Sequence, residues 1–495
     1  MKKNIILNIV SIIVTSLLII FGALGTSIYS KKNAPSEKSK FNFYFDMSNW
    51  DYDEKNNVYY QLNVDYCEKS KINENQKFDI YVPGEYLTGG KNNNGKYKCE
   101  ININNEKSGY NAKSAPMILS IQAEESIEQK THKKYDYEEI ADYINEGYIY
   151  IWPGMRGLKE NQKNVSNEEY SDAIIDGVTD LKSLVRFCRF NKGIMPGDIE
   201  KIIAFGANGG GTKSAILGAS GDSELYSSKL LAVGAIIASD EGIGISDSVN
   251  GTMCTSPTCF MEISKEAYAW SIEQYLENKN TKQLENINEK ALQYANYINN
   301  MKFKSEDGSL LYLNPTEKGT FTEGTYNNYM LAEIEKSINS FLQNISFPYT
   351  KNNITYNSAK EYVEYLNSSV KWIMYDDNTN SVKINSFKDC TNFYKDKNIQ
   401  IESKIILNEY NPYYYLSNKY DGLDSSYISR NWNICTLIDD QYNNFIPEEN
   451  LKLILQKNES VRKISYTCIW AKDFTKTEKN QNIFYNFRAW VKNNY

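Results

Sequence analysis

Ten residues, Ile202-Ile203-Ala204-Phe205-Gly206-Ala207-Asn208-Gly209-Gly210-Gly211, join an apolar run to a helix-forming one through a glycine-dense turn. A nucleophile elbow needs small residues around one residue held at a sharp strand-to-helix bend, because larger neighbours would collide there. The spacing Gly206-x-Asn208-x-Gly210 satisfies Gly-x-Ser-x-Gly everywhere except at the nucleophile. Asparagine tolerates left-handed backbone angles better than most non-glycine residues, so the bend is expected to persist while the attacking hydroxyl is gone. A phosphate-cradling loop is the competing reading, but the chain has neither a Gly-x-x-x-x-Gly-Lys-Ser/Thr motif nor Gly-x-Gly-x-x-Gly spacing here.

A serine or its substitute needs a base, and the chain holds a single histidine, His132. That scarcity removes most general-base, proton-shuttle and metal chemistry at once. His132 lies in Thr131-His132-Lys133-Lys134, in the loop region that supplies an oxyanion-hole amide in proteins with such elbows, and reads as a solvated surface residue. Ser214, on the helix past the elbow, is placed to pack or cap. Asp439, Asp440 and Asp473 are candidates to cluster at strand ends, where paired carboxylates can do acid-base work, although solvated or capping roles are commoner. The Gly209 amide and the helix start behind it would still make an anion-friendly pocket.

The elements that must position these residues follow from periodicity. Runs 41–46, 58–66 and 78–82 read as strands of an opening antiparallel section. Near-continuous apolar runs at 116–122, 148–152, 202–205 and 230–238 read as buried parallel strands, with helices at 137–145, 173–188 and 212–219 between them. From about 250 to 415 the composition shifts to Asn, Lys, Tyr and Glu, with amphipathic helical runs at 266–276, 284–301 and 328–342 and a β-rich piece at 362–383. Strand-like runs return at 432–438 and 464–470, and a helix at 481–492 closes the chain. The expected architecture is α/β: a mostly parallel central sheet with helices on both faces and a large inserted lid. Its parts are an N-terminal targeting segment 1–32, a first core part 40–250, a mainly helical lid 251–415 and a second core part 416–495.

At 495 residues with 41% hydrophobic content, the chain can bury a large core. A net charge of -7 gives no electrostatic footprint for nucleic acid. Lys2 and Lys3 precede an apolar run from Ile5 to Leu24, which reads either as an uncleaved membrane anchor or as a signal peptide cleaved near Ala23-Leu24-Gly25; both export the body of the protein. Of eight cysteines, Cys254 and Cys259 could close a short disulfide loop, while Cys188, Cys435 and Cys468 sit in apolar runs as core filler.

Around the elbow the sequence resembles the bacterial (subtype B) tannases, esterases of the α/β-hydrolase fold. The resemblance rests on 152–157 (Trp-Pro-Gly-Met-Arg-Gly), Asp180-Leu181-Lys182, Asn191, Met195-Pro196-Gly197-Asp198, the elbow and 214–223, with weaker similarity in Ala238-Ser239-Asp240, Lys371-Trp372-Ile373 and the C-terminal strands. It implies hydrolysis of esters of gallic and related phenolic acids by a Ser-His-Asp triad, with no metal and no cofactor. This chain departs from that triad throughout. The family serine falls on Asn208; the histidine segment falls on Trp470-Ala471-Lys472-Asp473-Phe474, which has none. The Asp-x-Asp segment falls on Ile438-Asp439-Asp440, so that only Asp440, matching a substrate-recognising carboxylate, is retained. The expectation is an exported pseudoenzyme, in which Gly209 and Asp440 remain to bind a small ester, a phenolic acid or a protein partner. The alternative is an active ester hydrolase with a non-standard nucleophile or carboxylate pair.

Overall fold

The computed structural model describes residues 42–71, 73–123, 126–162, 165–257, 281–317, 321, 323–351, 353–370, 373–384, 409–416, 426–437, 445–470 and 484–495. From Phe43 onward the chain is one compact unit. The apolar run Ile5–Leu24, the helical run 266–276, Lys371, Trp372, Cys259, Cys390, Ile438, Asp439, Asp440, Asp473 and Phe474 lie outside the described residues. Among the described residues no helix is long and apolar enough to cross a membrane.

Nine strands form one sheet: β1 (Asp51–Asp53), β2 (Val58–Asp65), β3 (Lys77–Pro83), β4 (Met117–Ile121), β5 (Ile149–Pro153), β6 (Ile202–Ala207), β7 (Gly251–Thr255), β8 (Asn431–Leu437) and β9 (Lys463–Ile469), in the spatial order β1-β2-β3-β5-β4-β6-β7-β8-β9. β1, β2 and β3 pair antiparallel, β3 meets β5 antiparallel, and every pairing from β5 to β9 is parallel. The central strands are buried on both faces, which is why their sequences read as unbroken apolar runs. Successive side chains still sort by face. Ile202 and Ala204 join Met117, Leu119 and helix α2 (Asn167–Phe190), while Ile203 and Phe205 join Ile118, Met253 and the C-terminal helix. Helices α1 (Tyr137–Asn145), α2, α3 (Gly209–Ala219) and α4 (Ser227–Val233) thus intervene between strands of the first part, with α1 seated on Tyr81 and Tyr150.

Between β7 and β8 the chain contributes helices α5 (Thr281–Met301), α6 (Thr325–Asn344) and α7 (Ala359–Val370). α8 (Phe445–Lys457) links β8 to β9, and α9 (Phe484–Asn494) ends the chain. α5 and α6 pack through Tyr294, Ile298, Met330, Ile334 and Ile338 into the same cluster as Trp432, Ile434 and Leu451, so the inserted helices share a core with the last strands.

Three sequence expectations are corrected. Residues 230–238 are not a strand: α4 runs to Val233 and Gly234, at φ 67°, caps it in the left-handed conformation, because a short apolar run satisfies either periodicity and the glycine decides. Residues 362–370 belong to helix α7, burying Tyr362, Val363 and Leu366 at helical spacing, before a hairpin at 373–384. Residues 42–46 form no strand; Phe45 instead donates its amide to the Asn191 side chain at the end of α2.

Candidate functional site

The turn after β6 is held by close contact with both neighbouring strands. A Cβ on Gly210 would lie 1.9 Å from the carbonyl oxygen of Ile121 on β4, one on Gly206 would lie 2.4 Å from the Gly210 backbone, and one on Gly211 would lie 2.7 Å from the Thr255 carbonyl on β7. Only glycine fits at these positions. Asn208, between them, takes φ 49° and ψ -118°, a sparsely populated conformation costing on the order of 1–3 kcal/mol. Its N–H donates to Thr255 O at 2.8 Å and its carbonyl accepts from Thr212 N at 2.9 Å, so the strained residue is pinned on both sides. Asn208 is half-buried and its side chain makes no cap to the helix behind it. Ser214 donates to Gly210 O at 2.8 Å and is fully buried, a packing role. The carboxamide at 208 can donate and accept hydrogen bonds but cannot attack a carbonyl carbon.

On the β4 side, the Gln122 and Ala123 amides donate to Gln129 Oε1 at 2.8 and 3.0 Å, while Gln129 Nε2 donates to Ser120 O and Pro153 O. Gln129 thereby supplies the donor that Pro153 lacks and ties the ends of β4 and β5 together. On the β7 side, Ser256, at φ 43°, accepts the Leu437 amide on its hydroxyl at 3.1 Å, and the buried Thr255 hydroxyl has no partner among the described residues.

His132 is not a solvated loop residue. Its side chain is 17% exposed, with Nδ1 3.1 Å from buried Asp79 Oδ2 and 2.9 Å from the Tyr81 hydroxyl, Nε2 3.4 Å from Glu139, and its ring 4.4 Å from Trp152. Its backbone N–H also donates to Asp79 Oδ2, and Asn63 N donates to Asp79 Oδ1. Asp79 and Tyr81 lie on β3, separated from β6 by β4 and β5; three strand spacings of about 4.8 Å put the strand that holds the imidazole roughly 14 Å to the side of β6. The adjacent lysines hid this packing from the sequence reading.

The carboxyl ends of the last two strands hold charged groups that periodicity could not reveal. Glu448 on α8 is fully buried; one carboxyl oxygen accepts from the Thr436 hydroxyl of β8 and the other has no partner among the described residues, and burial pushes its carboxyl far above the usual range. Neighbouring Glu449 is raised by burial despite Lys452 at 2.8 Å and the Tyr329 hydroxyl at 2.6 Å. Lys351, also buried, donates from Nζ to the Tyr362 hydroxyl at 2.9 Å and reaches the Trp470 carbonyl at the end of β9.

The polar residues that carry the family resemblance have structural work. Buried Asp180 accepts from the Arg156 side chain, the Arg156 amide and Gln76. Lys182 donates to Asp247 at 2.8 Å and to Ser220 O, and Arg186 forks onto the same carboxylate; this pairing holds Asp247 below the usual carboxylate range against the opposing effect of burial. Asp222 and Asp247 exchange backbone-to-carboxylate bonds. The Asp180 bonds tie α2 to the segments that follow β5 and precede β3, and the Asp247 bonds tie it to the loops beyond α3.

A strand-to-helix elbow on the sixth strand, with parallel strands on either side and an insertion after the seventh, defines the α/β-hydrolase fold. No family model matches the chain, and no curated protein sequence matches it. Solved structures do. The tannase of Fusobacterium nucleatum aligns with 92% of this chain and 99% of its own at a TM-score of 0.60 and 20% identity. The tannase of Lactobacillus plantarum, in an orthorhombic crystal, aligns with 91% of this chain and 99% of its own at 0.60 and 17%. A tannin acyl hydrolase in complex with ethyl gallate aligns with 88% of this chain and 94% of its own at 0.58 and 19%. The chain shares its fold with the tannases.

Proposed function

We propose that this chain is an exported tannase-type protein that no longer hydrolyses esters and uses the cleft at its elbow to bind a small ester or phenolic acid. The observation that carries this reading is a carboxamide, Asn208, on an otherwise intact elbow turn, with the only histidine committed to Asp79 three strands away. A serine esterase at neutral pH depends on a hydroxyl and an imidazole together, and neither is in place. The solved tannin acyl hydrolases include complexes with ethyl gallate and with 3,4-dihydroxybenzoate, which motivates phenolic compounds as first ligands to test. The apolar run Ile5–Leu24 supports placement outside the cytoplasm, on the outer face of a membrane if the run is retained.

The test is an assay of the purified protein on nitrophenyl acetate and methyl gallate, with thermal unfolding in the presence of methyl gallate and 3,4-dihydroxybenzoate. Hydrolysis at the buffer rate, together with a saturable rise in melting temperature, is expected. Turnover abolished by substitution of Asp439 or Asp440 would instead establish an active hydrolase working through carboxylates.

A further inference from the structure

Asn208 is followed by Gly209, and such a pair can react with itself. Attack of the Gly209 nitrogen on the carboxamide carbon Cγ closes a five-membered imide from Cα, Cβ, Cγ, that nitrogen and the Asn208 carbonyl carbon, and glycine offers no side chain to obstruct the approach. The ring is near planar only if Cβ eclipses the Gly209 nitrogen about the Cα–C bond. Tetrahedral geometry sets Cβ roughly 120° from the backbone nitrogen, so closure requires ψ of about -120°, outside the wells that ordinary residues occupy. The elbow holds Asn208 at ψ -118°. Its strained backbone is therefore already in the conformation for ring closure.

The turn also leaves the attacking nitrogen available. Gly209 is the first residue of α3, where a backbone N–H has no intrahelical acceptor, and it donates to no other group among the described residues. Losing that N–H to an imide breaks no hydrogen bond, as with a proline at the same helix position. The bonds that pin the turn, Asn208 N to Thr255 O and Thr212 N to Asn208 O, use atoms that the ring does not consume. The half-buried carboxamide makes no cap bond and can swing toward the nitrogen. The positive end of the α3 dipole favours both the deprotonated nitrogen and the oxyanion that forms on Cγ. The chain has two more Asn-Gly pairs. In one, the Gly95 N–H is spent on Asn92 O at 3.1 Å; in the other, Gly251 opens the buried strand β7, in register with Ile203 and Asn431.

We propose that Asn208 is a self-modification site. The Gly209 nitrogen gives its proton to solvent base and bonds to Cγ; the Cγ–Nδ2 bond breaks, and Nδ2 takes up a proton and leaves as ammonia. Water then opens the imide, and no other reactant is consumed. Opening at Cγ leaves aspartate with the backbone of the turn unchanged. Opening at the main-chain carbonyl leaves isoaspartate, with one methylene added to the turn. Either product places a negative charge at the N-terminus of α3, where the helix dipole favours it. The inference stands on the geometry of the turn and holds whether or not the cleft binds a phenolic acid.

The experiment incubates the full chain at neutral pH, one sample folded and another held unfolded in guanidinium chloride, and follows the peptide that contains residue 208 by mass spectrometry. That peptide is expected to lose the mass of ammonia and then gain that of water. The conversion should run about 5-fold or more faster in the folded chain, because the fold supplies a backbone torsion that the unfolded chain must find. An ordinary labile Asn-Gly pair behaves the other way, since folding restrains its backbone away from the ring geometry. Gly209→Ala, which crowds the attacking nitrogen, should slow the folded reaction several-fold; if that variant fails to fold, the comparison of folded and unfolded wild type still decides. The inference is overturned if Asn208 keeps its amide in the folded chain, if it converts no faster folded than unfolded, or if a folded Gly209→Ala chain converts at the wild-type rate.

Discussion

The turn at Asn208 and the cluster at His132 split between them what a hydrolase site combines. The first keeps the geometry: a left-handed residue clamped between β4 and β7, with glycines where any Cβ would strike backbone. The second keeps the chemistry: an imidazole oriented by a buried carboxylate, the pairing a general base requires. Two strands, β5 and β4, separate β3 from β6, so neither completes the other. The turn is fixed by backbone sterics and survives whatever side chain occupies residue 208, whereas catalytic identity depends on single side chains that carry little of the fold. The buried Asp180–Arg156 and Lys182–Asp247 pairs belong with the turn, because they hold the scaffold rather than any reacting group.

This contrast can be broken most directly at Gly210. Gly210→Ala places a methyl 1.9 Å from the Ile121 carbonyl, and the shift of β4 against α3 is expected to cost about 3–5 kcal/mol in denaturant unfolding; a loss under about 1 kcal/mol would mean that the turn is not sterically locked. A smaller effect of opposite sign is expected at the β8 end. Glu448 has its folded carboxyl well above the ordinary 4.5, so its contribution is full below pH 4.5 and is lost as pH rises from there toward the folded value, by up to about 1.4 kcal/mol per pH unit. Glu448→Gln should therefore stabilise the protein more at pH 8 than at pH 4, where the carboxyl is already neutral in both states; equal effects at both pH values would show that Glu448 is ionised in the fold. His132→Ala exposes one side of buried Asp79 and is expected to cost about 1–3 kcal/mol while leaving ligand binding at the elbow unchanged. Loss of phenolic binding in that variant would place His132 beside the cleft and undo the comparison.

What could be read from the sequence divides along the same line. Parallel strands buried on both faces advertise themselves as apolar runs, so β4, β5, β6, β8 and β9 were legible, as was α1, whose Asp136 cap and amphipathic spacing are local signals. The elbow was legible because its glycines are a steric necessity. Illegible were the features set by tertiary partners: Gln129 closing the gap left by Pro153, His132 drawn out of a lysine-flanked loop by Asp79, and Glu448 buried against Thr436 of β8. Residues 230–238 were misread for a different reason, since one glycine at φ 67° outweighed eight residues of strand-like composition.

The smallest expected effect is the most discriminating. Asn208→Ser restores the missing hydroxyl at a position whose backbone already has the required bend, and serine costs only slightly more than asparagine at positive φ, so stability should fall by less than about 1 kcal/mol. Nucleophilicity should not return with it. An unassisted serine hydroxyl is a poor nucleophile, and the base that would take its proton must lie within about 3 Å, whereas the sole imidazole is held by Asp79 and Glu139 at the far side of β5. The variant should therefore show nitrophenyl acetate and methyl gallate hydrolysis at the buffer rate, and resist labelling by a fluorophosphonate. Esterase activity gained from this single change would require a base supplied by the segments that follow β8 and β9, and with it a site one substitution away from catalysis rather than one whose chemistry has been dismantled.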